Sequence, residues 1–292
     1  MRILVIGGTG FVGTHIVRRA ASDGHTVAVY HRGQTRAALP DTVRQILDPL
    51  AVMPLETFPA QLFEFEPDVV VHTIAMGAID SAAAMSAFAG RTGRLVLLSS
   101  GDVYRAYGRL TRIEPGPLEE GLLFERAPLR SVLFPYRKSA TSLGALEYWY
   151  EKILAEHAVL TTPALPGTVL RLPKVYGPAG NEDLATVYRY RHQPNWRWTH
   201  GFVENVAAAV VLAAVHPSAA GRVYNVGEAC TPTVAERLRG MPQSPIEPDL
   251  GSPLNFAQDI AYDTSRIRNE LGYREIVSEE EALHETLRAR SN

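Results

Sequence analysis

Cysteine is nearly absent. Cys230 stands alone among 292 residues, so no intrachain disulfide can form and no zinc site can be built from thiolates. Lysine is almost as scarce, with Lys138, Lys152 and Lys174 set against 26 arginines. A lysine retained against such a bias is a stronger candidate than usual for work that needs an ammonium group. Neither charge is in excess: Lys and Arg number 29, Asp and Glu 31, and the formal net charge is −2. The chain therefore lacks the basic surplus that drives binding to nucleic acid or an anionic membrane. The longest apolar run, Val206 to Val215, is about half of the ~20 residues a bilayer span needs. The nine histidines are scattered without metal-ligand spacing, and no metal is expected. No secretory pattern opens the sequence, where Met1 leads into a short apolar run that ends at Gly7. These absences make a cytoplasmic protein the expectation, and its partner a small molecule.

What is present is globular. Hydrophobic residues make up 46% and charged residues 21%, which excludes disorder. The length predicts one large domain or two intimate ones, at roughly 100–200 residues each. Ile3 to Ile6 reads as a strand buried on both faces and Phe11 to Ala21 as a helix. Further strands are predicted over Thr26–Tyr30, Val43–Leu47, Val69–Ile74, Leu95–Ser99, Val169–Leu172 and Val223–Val226. Helices are predicted around Ala82–Ala89 and over Leu143–His157, Val206–His216 and Ser278–Arg290. This alternation predicts an α/β fold with a parallel sheet covered on both faces. Arg105 to Pro135 breaks the rhythm and reads as a long excursion over a site. Pro232 to Leu254 reads as irregular.

Gly7, Gly10 and Gly13 follow the first strand and open the first helix. A tight turn, a close backbone approach and close helix packing then place a ligand at the positive helix end, which predicts a dinucleotide held by Gly7, Thr9, Gly10, Phe11, Val12 and Gly13. An acidic residue after the second strand would select NAD and an arginine NADP. Here Tyr30-His31-Arg32-Gly33-Gln34-Thr35-Arg36 carries no carboxylate, so His31 and Arg32, helped by Arg36, favour NADP over NAD. The alternative is that both arginines are merely solvated.

Tyr148 and Lys152 stand four apart, and on one continuous helix they share a face. An ammonium beside a phenol lowers a pKa that is otherwise about 10. Chance supplies only ~0.1 such pair for this composition. On that continuous helix Tyr150 faces elsewhere, so Tyr148 is the expected phenol. Ser99-Ser100-Gly101-Asp102 ends the fifth strand, at the sheet edge where open parallel sheets bind ligands. Ser100 is thus a candidate to hold a reacting oxygen. Tyr188, Tyr190, Trp196 and Trp198 interleave with arginines but read as the lining of a lobe rather than a base-stacking surface. His72 reads as a core histidine and Cys230 as inert.

These motifs resemble the extended short-chain dehydrogenase/reductase group, the NAD(P)-dependent epimerase/dehydratase family. Gly7–Gly13, Ser99–Tyr104, Tyr148–Lys152 and Leu170–Pro178 match its pattern, and Gly221–Gly227 a later segment. The resemblance implies a Rossmann-like doubly wound parallel sheet with a smaller C-terminal substrate lobe. The expected division is 1–172 with 200–227 returning to it, and a lobe of 173–199 and 228–292. It implies Ser100, Tyr148 and Lys152 as catalytic, Asp48 near the adenine, and Ile74 and Ala75 lining the cofactor. It also implies homodimers formed through a helical bundle. Two departures concern substrate: only Asp102 remains of the dehydratase acidic pair, and Lys174 stands where sugar-nucleotide epimerases often carry Asn. Both make Asp102 and Lys174 candidate substrate contacts. The expected function is hydride transfer, as oxidoreductase or epimerase (an isomerase), on a nucleotide sugar or another hydroxy/carbonyl substrate. The alternative is a non-catalytic NAD(P)-binding redox sensor or scaffold.

Overall fold

The computed structural model describes residues 1–143, 145–178, 180 and 184–288. Its elements, in chain order, are β1 (Arg2–Ile6), α1 (Phe11–Ser22), β2 (Thr26–His31), β3 (Arg44–Leu47), α2 (Ala60–Glu64), β4 (Val69–His72), α3 (Ala78–Phe88), β5 (Arg94–Ser100) and α4 (Arg105–Leu110). There follow α5 (Leu146–Trp149), α6 (Lys152–Thr161), β6 (Gly167–Leu172), β7 (Lys174–Tyr176), α7 (Ala185–Arg189), β8 (His200–Phe202) and α8 (Val203–Val215). The chain continues through β9 (Arg222–Asn225), α9 (Val234–Arg239), α10 (Ser265–Leu271) and α11 (Glu279–Arg288).

Seven strands form one sheet in the order β3-β2-β1-β4-β5-β6-β9, every neighbouring pair parallel. The apolar strands explain themselves by their alternation. Ile3, Val5, Val27, Val29, Val69, Val71, Val96 and Leu98 point to one face, where α1 and α8 cover them with Ile16, Val17, Val206 and Val210. Leu4, Ile6, Ala28, Val70, Leu95 and Leu97 point to the other, against Ala84, Met85 and Phe88 of α3 and Ala155 and Val159 of α6. A sheet clothed on both faces has no room for polar alternation, and hence the continuous apolar runs. The Rossmann-like fold read from the sequence is the one observed.

Order reverses between β1 and β4, the neighbours on either side of the point where the chain changes direction. Ligands of such sheets sit outside the strand carboxyl ends at that crevice. A third cluster, with Val103, Tyr104, Leu123, Trp196, Phe202, Ile260 and Tyr262, forms the core of a lobe over those ends. Within it, Trp196 packs on Tyr190, Trp198 and Phe256. The short parallel pair β7–β8 runs beside it.

The structure corrects the prediction of one helix over Leu143–His157. The backbone leaves helix at Tyr150, with ψ at 111°, and restarts at Lys152 with Glu151 as its cap. The Glu151 carboxylate accepts the Ile153 N–H at 3.0 Å, filling the role normally given to Ser, Thr or Asp. The excursion after β5 also begins as a helix, α4, and Val234–Arg239 is helical within the stretch expected to be irregular. No helix among the described residues is long and apolar enough to cross a membrane.

Candidate active site

Two cavities lie along the carboxyl ends of the strands. The first, of about 140 Å³, is lined by Gly7, Thr9, Gly10, Tyr30, His31, Arg32, Gln34, Thr35, Leu55 and Ile74. Gly7 takes φ +88°, a left-handed backbone that favours glycine. A Cβ on Gly13 would lie 2.4 Å from the Gly7 carbonyl, so α1 can press against the loop only without one. Gly10 caps α1 with no side chain bonded to its first turn, and a Cβ there would meet nothing within 4 Å. The helix thus presents its bare amide end to open space, which is the arrangement that holds a phosphate. Val12 and Phe11 sit in the first turn of α1, and a Cβ on Gly180 would meet the Phe11 ring at 2.3 Å.

His31 ends β2 with its Nδ1 taking the Gly33 N–H at 3.2 Å. The Arg32 guanidinium, on the cavity wall, is fitting company for a ribose or its phosphate. Arg36 is exposed and does not line the cavity. Asp48 does not line it either: its carboxylate accepts the Tyr30 hydroxyl at 2.9 Å and the Leu50 N–H at 3.3 Å. The donor set, an open helix end with a glycine cradle and no opposing carboxylate, fits a nicotinamide dinucleotide.

The second cavity, of about 260 Å³, is lined by Ser100, Gly101, Asp102, Tyr107, Tyr136, Tyr150, Leu172, Pro173, Lys174, Trp198, Ile260 and Tyr262. Three residues expected there from sequence, Ser100, Asp102 and Lys174, are present together. Ser100 ends β5 and its hydroxyl accepts the Asp102 N–H at 3.3 Å. Asp102 accepts the Tyr136 hydroxyl at 3.0 Å. Burial raises the Asp102 pKa, opposed first by the Arg130 guanidinium and then by Tyr150, Tyr136 and Lys152. A Cβ on Gly101 would fall 1.4 Å from the Tyr262 hydroxyl, so the missing acid of the dehydratase pair has no space in which to stand.

Lys152 is buried beside this cavity and its ammonium donates to the Ala75 carbonyl at 2.5 Å and the Leu98 carbonyl at 3.0 Å. Ala75 lies in the loop after β4 and Leu98 near the end of β5, and Ala75 adjoins Ile74 of the first cavity. Burial lowers the Lys152 pKa, against the pull of Asp102, Asp80 and Glu156. The phenol above it is Tyr150. The Lys152 nitrogen lies 5.6 Å from the Tyr150 ring centre, and the Tyr150 hydroxyl interacts with both Ser100 and Asp102. Burial, then the Asp102 charge, raise the Tyr150 pKa well above its ordinary value.

Tyr148 stands elsewhere. Its ring lies against Arg137 at 4.6 Å and Trp149 at 5.2 Å, and its carbonyl accepts from Arg137 at 3.1 Å. It is not among the residues lining the second cavity. The sequence argument for Tyr148 rested on an unbroken helix, and the break at Tyr150 turns Tyr150 inward instead. Tyr107, Tyr136 and Tyr262 were also missed as site residues, and Trp198 was read only as lining of the lobe. Isolated aromatic residues in short helices and connections carry no periodic signal, and only the tertiary fold gathers these. Among the described residues no cluster of three or more His, Cys, Asp or Glu could hold a metal ion.

The sequence model of the NAD dependent epimerase/dehydratase family matches residues 3–120. A 2'-dehydrokanamycin reductase of Streptomyces kanamyceticus is 34% identical over 100 residues, a match covering 34% of this chain and 28% of that protein. Among solved structures, Pal from Bacillus thuringiensis superposes with a TM-score of 0.73 at 19% identity, covering 100% of this chain and 99% of its own. The Thermus thermophilus UDP-glucose 4-epimerase in complex with NAD gives 0.68 at 20% identity, with coverage of 100% and 99%. At these identities the structures speak for the fold.

Proposed function

For a chain whose residues 3–120 match the sequence model of the NAD dependent epimerase/dehydratase family, we propose an oxidoreductase that moves hydride between a nicotinamide dinucleotide and a hydroxy or carbonyl carbon. The single observation carrying this reading is the Tyr150 hydroxyl beside Ser100 and Asp102, directly above Lys152. A bound nicotinamide dinucleotide would supply or accept the hydride. The chain's own residues do the rest. Ser100 holds the reacting oxygen at the end of β5, Tyr150 exchanges a proton with it, and Lys152 fixes charge beneath the phenol while tying β4 to β5. This reading moves the acid–base role from Tyr148 to Tyr150.

A neutral phenol can give its proton to the oxygen of a carbonyl as hydride arrives at the carbon, and as phenolate it takes the proton back in the reverse step. The name of the reductase relative supports reduction over epimerisation. The aromatic walls of Tyr107, Trp198 and Tyr262 suit the apolar face of a sugar-like ring, with Lys174 placed for a phosphate or carboxylate on it. A nucleotide sugar, or another polyhydroxy carbonyl compound, is the substrate class. Arg32 and His31 favour NADP; the NAD held by the Thermus epimerase supports NAD as the second reading.

The first experiment is a fluorescence titration with NADPH and NADH. NADPH should bind the more tightly, and Arg32→Ala should weaken it about ten- to a hundredfold, as loss of a hydrogen bond to a charged group does. Tighter NADH binding would overturn the phosphate assignment, and binding of neither would overturn the enzyme reading as a whole. Turnover of bound NADPH by a panel of keto sugars separates a reductase from a sensor that only binds.

A further inference from the structure

Tyr150 sits outside any helix, so something other than helical hydrogen bonds must hold it in the site. The next residue, Glu151, is fully buried and faces Arg130 across a 3.1 Å ion pair in which neither side chain is exposed. Arg130 belongs to the excursion that follows α4. Its guanidinium also donates to the Asp102 carbonyl and, at 2.5 Å, to the Val132 carbonyl. The Glu151 carboxylate additionally takes the Phe134 N–H at 2.5 Å and the Ile153 N–H at 3.0 Å. One buried cation thus joins the two halves of the site: the Ser100–Asp102 turn and the Tyr150–Lys152 turn. Burying such a pair is costly, and α6 could have been capped by a neutral side chain without it.

We propose that Arg130 and Glu151 are positioning residues that clamp Tyr150 against Ser100 and Asp102. The clamp ties the long excursion to the site chemically, since its Arg130 substitutes for the missing turn of helix beneath Tyr150. This inference rests on Tyr150 being the phenol of the proposed reaction. Displacement of a reacting group by about 1 Å can cost a hundredfold in rate, which is the scale of effect a lost clamp would have on turnover.

The test uses the full chain carrying 3-fluorotyrosine, read by ¹⁹F NMR, and needs no substrate. Tyr150→Phe assigns the resonance. In the parent chain that resonance should titrate above free 3-fluorotyrosine. Arg130→Met should move its position and bring its midpoint down towards the free amino acid, while the resonances of Tyr30, Tyr224 and Tyr273, remote from the clamp, stay in place and report an intact fold. Arg130→Met leaves a buried carboxylate alone, so Arg130→Met/Glu151→Gln serves as the variant that keeps the fold, with the same release of Tyr150. Arg130→Lys, which restores the charge, should recover part of the parent signal. An unchanged Tyr150 resonance in the double variant would overturn the clamp. A parent resonance that already titrates as free 3-fluorotyrosine would instead overturn Tyr150 as the buried phenol, and with it the functional reading.

Discussion

At the residue scale, Tyr148 and Tyr150 differ by one feature, the exit from helix between them. Tyr150→Phe should lower turnover of an NADPH-coupled carbonyl reduction by about 10²–10⁴-fold, the usual worth of a general acid, with NADPH binding retained. Tyr148→Phe should leave turnover within about twofold of the parent, because that hydroxyl has no part in the cavity. Steady-state rates with a single keto substrate check both, and equal losses in the two variants would reject the assignment. Much of this site was legible in the sequence. Ser100 was found because it ends a strand, Asp102 and Lys174 through the family resemblance of the motifs around them, and Lys152 because lysine is so rare here. Tyr150 was not, because the helix breaks at it, and Arg130, the buried partner of the neighbouring Glu151, lies twenty residues upstream of Tyr150, where no local pattern reports it.

At the element scale, the glycine loop and α1 act as one unit. Gly13→Val should abolish dinucleotide binding, since any Cβ there strikes the Gly7 carbonyl and must push α1 off the loop. Gly24→Ala, with open space around it but φ at +81°, should cost about 1–2 kcal/mol of stability and leave binding intact. Fluorescence titration and thermal melting of the two variants separate these outcomes. The seven strands of the sheet were readable to within a residue or two, because apolar runs between glycines have few other interpretations. The three-residue strands β7 and β8 were not, since segments so short take their conformation from the lobe they pack against rather than from any period of their own.

At the scale of the whole molecule, His72 links stability to acidity. It lies buried in β4 with neither ring nitrogen hydrogen-bonded among the described residues, and burial, then the Lys152 charge, push its pKa down to about 3. Its unfolded value is near 6.5, so the unfolded chain takes up a proton there that the folded chain refuses. Stability is unaffected by this group above pH 6.5 and falls by about 1.4 kcal/mol for each unit below it, until the folded pKa is reached. Melting curves between pH 7 and 4 should show that slope, and His72→Leu should flatten it by about one proton's worth. The order of the strands has a further consequence, which concerns synthesis. β9 borders β6, and α8 covers the face of the sheet that α1 shares, yet both are translated after β6 is complete. The ribosome needs about 3–10 s to add the intervening fifty residues. For that interval the nascent chain carries an open strand edge and a bare apolar face, both of which invite aggregation. A polypeptide ending at residue 172 should therefore aggregate or remain bound to a chaperone, whereas the full 292-residue chain should elute as a single folded species on gel filtration.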